Sequence, residues 1–213
     1  MRILYEDRDL LLCEKPVGVD SEEEMPRLLR EATASPEICC VHRLDRETGG
    51  LMVYAKTKRA ASGLSACIAA GKLEKEYLAV VPGPAEERGV LRDLLFRDAA
   101  KNKSYVVDRM RRGVREAELR YERLAFREGW SLLRIALKTG RSHQIRVQFA
   151  SRGLPLAGDR KYGSACRDCS LALWSVFLAF PHPVTGRRIT GQLPPPETWP
   201  WTLFPEAAEE RKN

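Results

Sequence analysis

The chain has 213 residues, 44% of them hydrophobic, which suffices to bury a core in one large domain or two small ones. No apolar run nears the roughly 20 residues of a bilayer-spanning helix, and Met1-Arg2-Ile3-Leu4 leads into acids rather than a signal-peptide core, which excludes a membrane or secretory reading. A formal charge of +7 and a pI near 9.2 favour a polyanionic partner, through release of counterions from phosphates. Cytoplasmic location with reduced thiols is expected, because six cysteines at irregular spacing do not form a secreted disulfide framework. Cys166 and Cys169 could hold half of a zinc site with Cys39 and Cys40 as the other half, but adjacent cysteines suit tetrahedral zinc poorly and no metal is expected.

In chain order, Arg2 to Cys13 predicts a strand, an acidic turn at Glu6–Asp9 and a second strand from Leu10, broken by Lys15-Pro16-Val17-Gly18. Pro26 to Ala34 predicts a short helix, and Val41 to Leu44 enters a loop that Gly49 and Gly50 allow to bend sharply before a strand over Leu51–Ala55. Thr57 can cap a helix reaching about Ala70, with Ala60, Leu64, Cys67 and Ile68 on one face and Gly71 at its end. Glu76 to Val81 predicts a buried strand closed by Pro82-Gly83-Pro84. Further strands are expected over Ser104–Val107, Glu116–Tyr121 and Ser131–Leu137, with Arg109, Arg111, Arg112 and Arg115 connecting the first two. Those arginines suit phosphate contacts and equally suit a solvated surface.

Ser142 to Arg152 predicts a compact serine-capped helix ending before Gly153. On it Arg146 falls about one turn from Ser142 and His143, and Arg141 stands at the helix entrance where an anion is favoured. Strands return at Leu171–Phe180, followed by a proline-rich tail over Pro194–Pro200 and a charged end, Glu209 to Lys212, expected to fray. A single domain over 1–213 is expected, with its core over about 2–190 and a tail over about 191–213. Trp130, Trp174, Trp199 and Trp201 are scattered, as core or tail anchors usually are.

One decapeptide stands apart. His42-Arg43-Leu44-Asp45-Arg46-Glu47-Thr48-Gly49-Gly50-Leu51 sets an acid between two arginines ahead of a threonine and paired glycines. It resembles the catalytic motif of the RluA family of pseudouridine synthases, His-Arg-Leu-Asp-x-x-Thr-Ser-Gly-Leu, departing from it at Gly49. The segment Leu137 to Val147 resembles the family's second signature, and Lys15-Pro16 and Gly158 to Gly163 match further signatures that read as scaffold. The resemblance covers roughly Arg2 to Ile189. It implies an α+β fold, a mixed, largely antiparallel central sheet flanked by helices with an RNA-binding cleft, and isomerisation of uridine in structured ribosomal or transfer RNA.

That reaction needs a nucleophile or base and no cofactor, and a carboxylate serves as either. The resemblance puts Asp45 in that role, Arg146 as the cation that keeps it charged, and Tyr77, in Lys75-Glu76-Tyr77, as the ring stacking on the flipped base. Arg43 or Arg46 could equally supply the counter-charge. His42, Arg43, Arg46, Arg141, His143 and Gln144 are the expected RNA-binding residues, His42 orienting the loop by a hydrogen bond. Whether Asp45 adds to the uracil ring, attacks C1′ or removes a sugar proton stays open. Gly49 could loosen the loop or remove a hydrogen bond, and Leu171 to Trp174 departs from the family's leucine-histidine-alanine, so altered packing is expected there. The family's small N-terminal RNA-binding domain is not expected, nor an obligatory protein partner, and a monomer is expected. A binding module that has lost turnover is the alternative, and a metal-dependent nuclease would need more carboxylates than Glu47 beside Asp45.

Overall fold

The computed structural model describes residues 1–209, so most of the charged end predicted to fray lies outside the described residues. In chain order the elements are β1 (Ile3–Glu6), β2 (Leu10–Lys15), α1 (Glu24–Thr33), β3 (Cys39–Cys40), β4 (Gly49–Ala55), α2 (Lys58–Ala69), β5 (Glu74–Pro82), β6 (Arg88–Asp98), β7 (Lys103–Val107), β8 (Val114–Arg127), β9 (Trp130–Leu137), α3 (Gln144–Ala150), β10 (Leu173–Pro181) and β11 (Arg188–Gln192). The fold class is α+β, as expected. The chain divides into two compact units, one of residues 1–75 and 174–194, the other of 76–173 and 195–209.

In the first unit the strand order is β1-β2-β4-β10, with β11 on β10 and β3 on β4. β4 and β10 run parallel and the other pairings are antiparallel. Every residue of β4 is buried, which its unbroken apolar run requires of a strand covered on both faces. α2 starts where Thr57 caps it, the Thr57 Oγ1 accepting from the Ala60 N–H at 3.1 Å, and buries Ala60, Leu64 and Cys67. β11 was not anticipated: five residues with only Ile189 buried carry little hydrophobic pattern.

The second unit is antiparallel in the order β5-β9-β8-β6-β7. The sequence reading missed β6 because only Leu91 and Leu95 are buried along it, a spacing of four that hides the strand period of two. The tail docks here: Trp201, Phe204 and Ala207 are buried, and Arg127 grips Glu206 through two bonds of 2.6 and 2.7 Å.

α3 differs from its prediction. It is seven residues long, and its N-cap is His143 in the left-handed region (φ 53°) with no side-chain cap, while the Ser142 carbonyl accepts from Ser104 Oγ at 2.7 Å. Gln144 does the work expected of a cap from inside the helix. Its Oε1 accepts from the Arg141 N–H and the Thr139 hydroxyl, and its Nε2 donates to the Glu118 carbonyl. Among the described residues no helix is long and apolar enough to cross a membrane.

Candidate active site

The Asp45 loop is held by its main chain. Ser21 Oγ donates to the Leu44 carbonyl at 2.8 Å, the Gly18 N–H to the Arg46 carbonyl at 2.8 Å, and the Thr48 N–H to the Asp45 carbonyl at 2.9 Å. Lys15, at the end of β2, is fully buried and its ammonium donates to the carbonyls of Pro16 (3.0 Å), Val19 (2.7 Å) and Arg46 (3.2 Å). Three carbonyls match the three donors of an ammonium, so one charge pins two loops together. Burial brings the Lys15 ammonium down to about 8, against the opposing pull of the Asp20, Asp45 and Glu47 carboxylates. The carboxylate-bearing residue itself is half-buried.

Each of the arginines beside Asp45 has an acidic partner outside the decapeptide. Arg43 pairs with Glu22 at 2.8 Å and Arg46 with Glu24 at 3.0 Å, both exposed. Exposed pairs of this kind each contribute little to stability. Arg141, also exposed, donates from Nε to the Glu116 carbonyl at 2.9 Å.

His42 makes a hydrogen bond from the loop to β4: its Nε2 accepts from the Val53 N–H at 3.1 Å. That bond requires an unprotonated Nε2, and burial, with Lys75 adding to it, holds the imidazole well below its usual range. A base lowered on folding takes its proton in the unfolded chain first, so stability is lost as pH falls below about 6.5. The expected cost is at most about 1.4 kcal/mol per pH unit. Urea unfolding of His42→Gln, whose amide oxygen can still accept from Val53, should show a shallower loss than the wild type between pH 6.5 and about 5. Parallel curves would remove His42 as the source.

Gly49 and Gly50 open β4 rather than a loop. Gly50 (φ +114°) lies against the Ser175 backbone, and a Cβ on Gly49 would collide with the Trp174 ring, its partner across the parallel pair. The family's serine is therefore absent where Trp174 fills its space, and the two sequence departures are one packing solution. The Trp174 indole N–H donates to the Leu193 carbonyl at 3.0 Å.

In the second unit Tyr77 is on β5, buried to 5% exposure, and Arg146 on α3, at 2%. Arg146 grips Asp159 through Nε–Oδ2 (2.8 Å) and Nη2–Oδ1 (2.9 Å). His143 is buried, its Nδ1 2.9 Å from the Tyr162 hydroxyl. Asp159 lies in the Gly158 to Gly163 stretch that the sequence reads as scaffold, directly after a glycine at φ +73° whose added Cβ would meet the Ser170 backbone.

All six cysteines are free thiols, with the Cys166 and Cys169 sulfurs 3.7 Å apart. Among the described residues the one group of three possible metal ligands is Asp7, Asp9 and His182. Its atoms are already engaged. Asp7 accepts from the Asp9 and Leu10 N–H groups and the Tyr5 hydroxyl and meets His182 Nε2 at 2.9 Å, while His182 Nδ1 accepts from Val184 and Thr185.

A buried ammonium clamping an acid-bearing loop, and a buried arginine in a carboxylate fork, stand at the two stretches that carry the sequence signatures. Residues 9–151 match the family described as RNA pseudouridylate synthase, and the chain belongs to that family; it is an RNA pseudouridine synthase. It is 32% identical over 230 residues to the ribosomal large subunit pseudouridine synthase D of Pseudomonas aeruginosa, covering 95% of this chain and 71% of the relative. A protein of Aquifex aeolicus named as an uncharacterized RNA pseudouridine synthase is also 32% identical, over 93% of this chain and 71% of its own. In fold the chain is similar to human RNA pseudouridylate synthase domain containing 1, with a TM-score of 0.79 at 24% identity over 92% of this chain and 84% of that one.

Proposed function

We propose that the protein isomerises uridine in ribosomal RNA, with Asp45 as the reacting carboxylate. The C1′–N1 bond breaks, the base turns, C1′ joins C5, the C5 proton leaves to solvent and N1 takes up a proton. The observation that carries the role of Asp45 is the clamp on the peptide groups either side of it, which fixes the backbone from which the carboxylate projects. Arg146 keeps the charge of Asp45 and Tyr77 stacks on the extruded base. Arg43, Arg46 and Arg141, all exposed, exchange their present partners for RNA phosphates. His42, His143 and Gln144 hold the segments that carry those arginines. The ribosomal substrate is favoured over transfer RNA by the names of the relatives at 32% identity. The protein acts as one catalytic domain, as a cytoplasmic monomer without a protein partner, and neither metal nor organic cofactor takes part.

Tritium release from uracil labelled at C5 tests the substrate directly, in ribosomal and transfer RNA transcripts and in the presence of a chelator. Release from the ribosomal transcript is expected. Release from transfer RNA alone would overturn the ribosomal assignment, and release that needs added metal would overturn the cofactor-free one.

A further inference from the structure

The Arg146 guanidinium does not sit in its fold as a loose charge. Arg146 and Asp159 have side chains 3% and 0% exposed, and their fork-to-fork pairing engages the Nε and Nη2 edge of the guanidinium. Two parallel bonds fix the plane of a guanidinium as well as its place, which a single contact or a lysine could not do. A third group stands against it: the guanidinium carbon lies 5.3 Å from the centre of the Tyr162 ring, over its face.

Asp159 and Tyr162 are tied to each other in turn. Asp159 Oδ1 accepts from the Tyr162 N–H at 3.3 Å, capping the 3-10 turn Arg160–Tyr162, so the carboxylate and the ring come from one rigid turn. The Tyr162 hydroxyl is held at its far end. It accepts from the Ser104 N–H at 2.8 Å, stands 3.2 Å from the Ser104 carbonyl and 2.9 Å from His143 Nδ1. His143 is the residue that starts α3, and Arg146 lies three residues on. The network thus closes on itself, from Arg146 through Asp159 and Tyr162 to the beginning of the helix that carries Arg146.

A carboxylate that merely neutralised a buried arginine would need neither the fork nor the ring. We infer that Asp159 and Tyr162 are positioning residues for the isomerisation, setting the plane in which Arg146 presents its guanidinium. This rests on the proposed role of Arg146 and extends it: Arg146 must be aimed as well as charged.

Single-turnover tritium release measures the effect, with KM for RNA determined separately. Asp159→Asn keeps the shape but puts a second set of N–H donors against the guanidinium, and it should lower kcat roughly 10- to 100-fold with KM changed less than about threefold. Tyr162→Leu, which leaves every charge in place, should lower kcat in the same direction by a smaller factor, and it decides the matter if Asp159→Asn does not fold. In an Arg146→Lys background, which has no fork to aim, Asp159→Asn should cost no further activity. Full kcat in both Asp159→Asn and Tyr162→Leu overturns the inference, as does a loss that multiplies with that of Arg146→Lys. Wild-type kcat in Arg146→Lys alone would instead overturn the role given to Arg146, whatever the other variants do.

Discussion

Asp45→Asn is expected to slow isomerisation at saturating RNA by about three orders of magnitude or more while RNA affinity changes less than about threefold. An amide has the shape of the carboxylate but is neither a nucleophile nor a base, whichever of the three routes the carboxylate takes. The loop should survive the exchange. Its anchors run to the carbonyls of Leu44, Asp45 and Arg46, from Ser21, Thr48, Gly18 and Lys15, and none of those bonds involves the Asp45 side chain. Arg43 and Arg46 stay where their own partners, Glu22 and Glu24, put them. Single-turnover tritium release and filter binding on the same preparations separate the two effects. A variant that releases tritium at the wild-type rate would remove Asp45 from the chemistry.

Gly49→Ser restores the residue usual in the family motif and should nonetheless destabilise the protein by about 3 kcal/mol. The added Cβ would meet the Trp174 ring on one side and lie 3.0 Å from a Val17 methyl on the other, in a strand with no exposed residue to yield. Trp174 cannot retreat without giving up its bond to the Leu193 carbonyl. Trp174→Leu alone should also be costly, through the cavity and the unsatisfied carbonyl it leaves. The double variant should lose clearly less than the sum of the two, because the serine then has room. Urea unfolding of the four proteins gives the coupling directly. Additive losses would mean that the two positions tolerate each other's side chains independently.

The motif residues were legible because they lie together in sequence: Asp45 inside its decapeptide, Arg146 inside the second signature, Thr57 at the head of a regular apolar repeat. What could not be read is what the fold brings together from afar. Gly49 reads as a flexible departure until the parallel pairing of β4 with β10 sets it against Trp174. Arg43 and Arg46 are neighbours of Asp45 along the chain, and their pairs with Glu22 and Glu24 come from outside the decapeptide. Asp159 stands in a stretch that reads as scaffold because its partner, Arg146, lies thirteen residues earlier on a helix. β6 escaped notice for a different reason: with only Leu91 and Leu95 buried along it, no run of alternating apolar residues stands out.

The ammonium under the Asp45 loop also makes this protein its own probe. An amine reagent reaches Lys15 only in molecules whose loop has opened, since the side chain has no exposed surface in the closed form. The rate at which Lys15 is acylated, relative to the exposed lysines, is therefore a readout of how often the loop lets go of its backbone, taken at one residue and without any label.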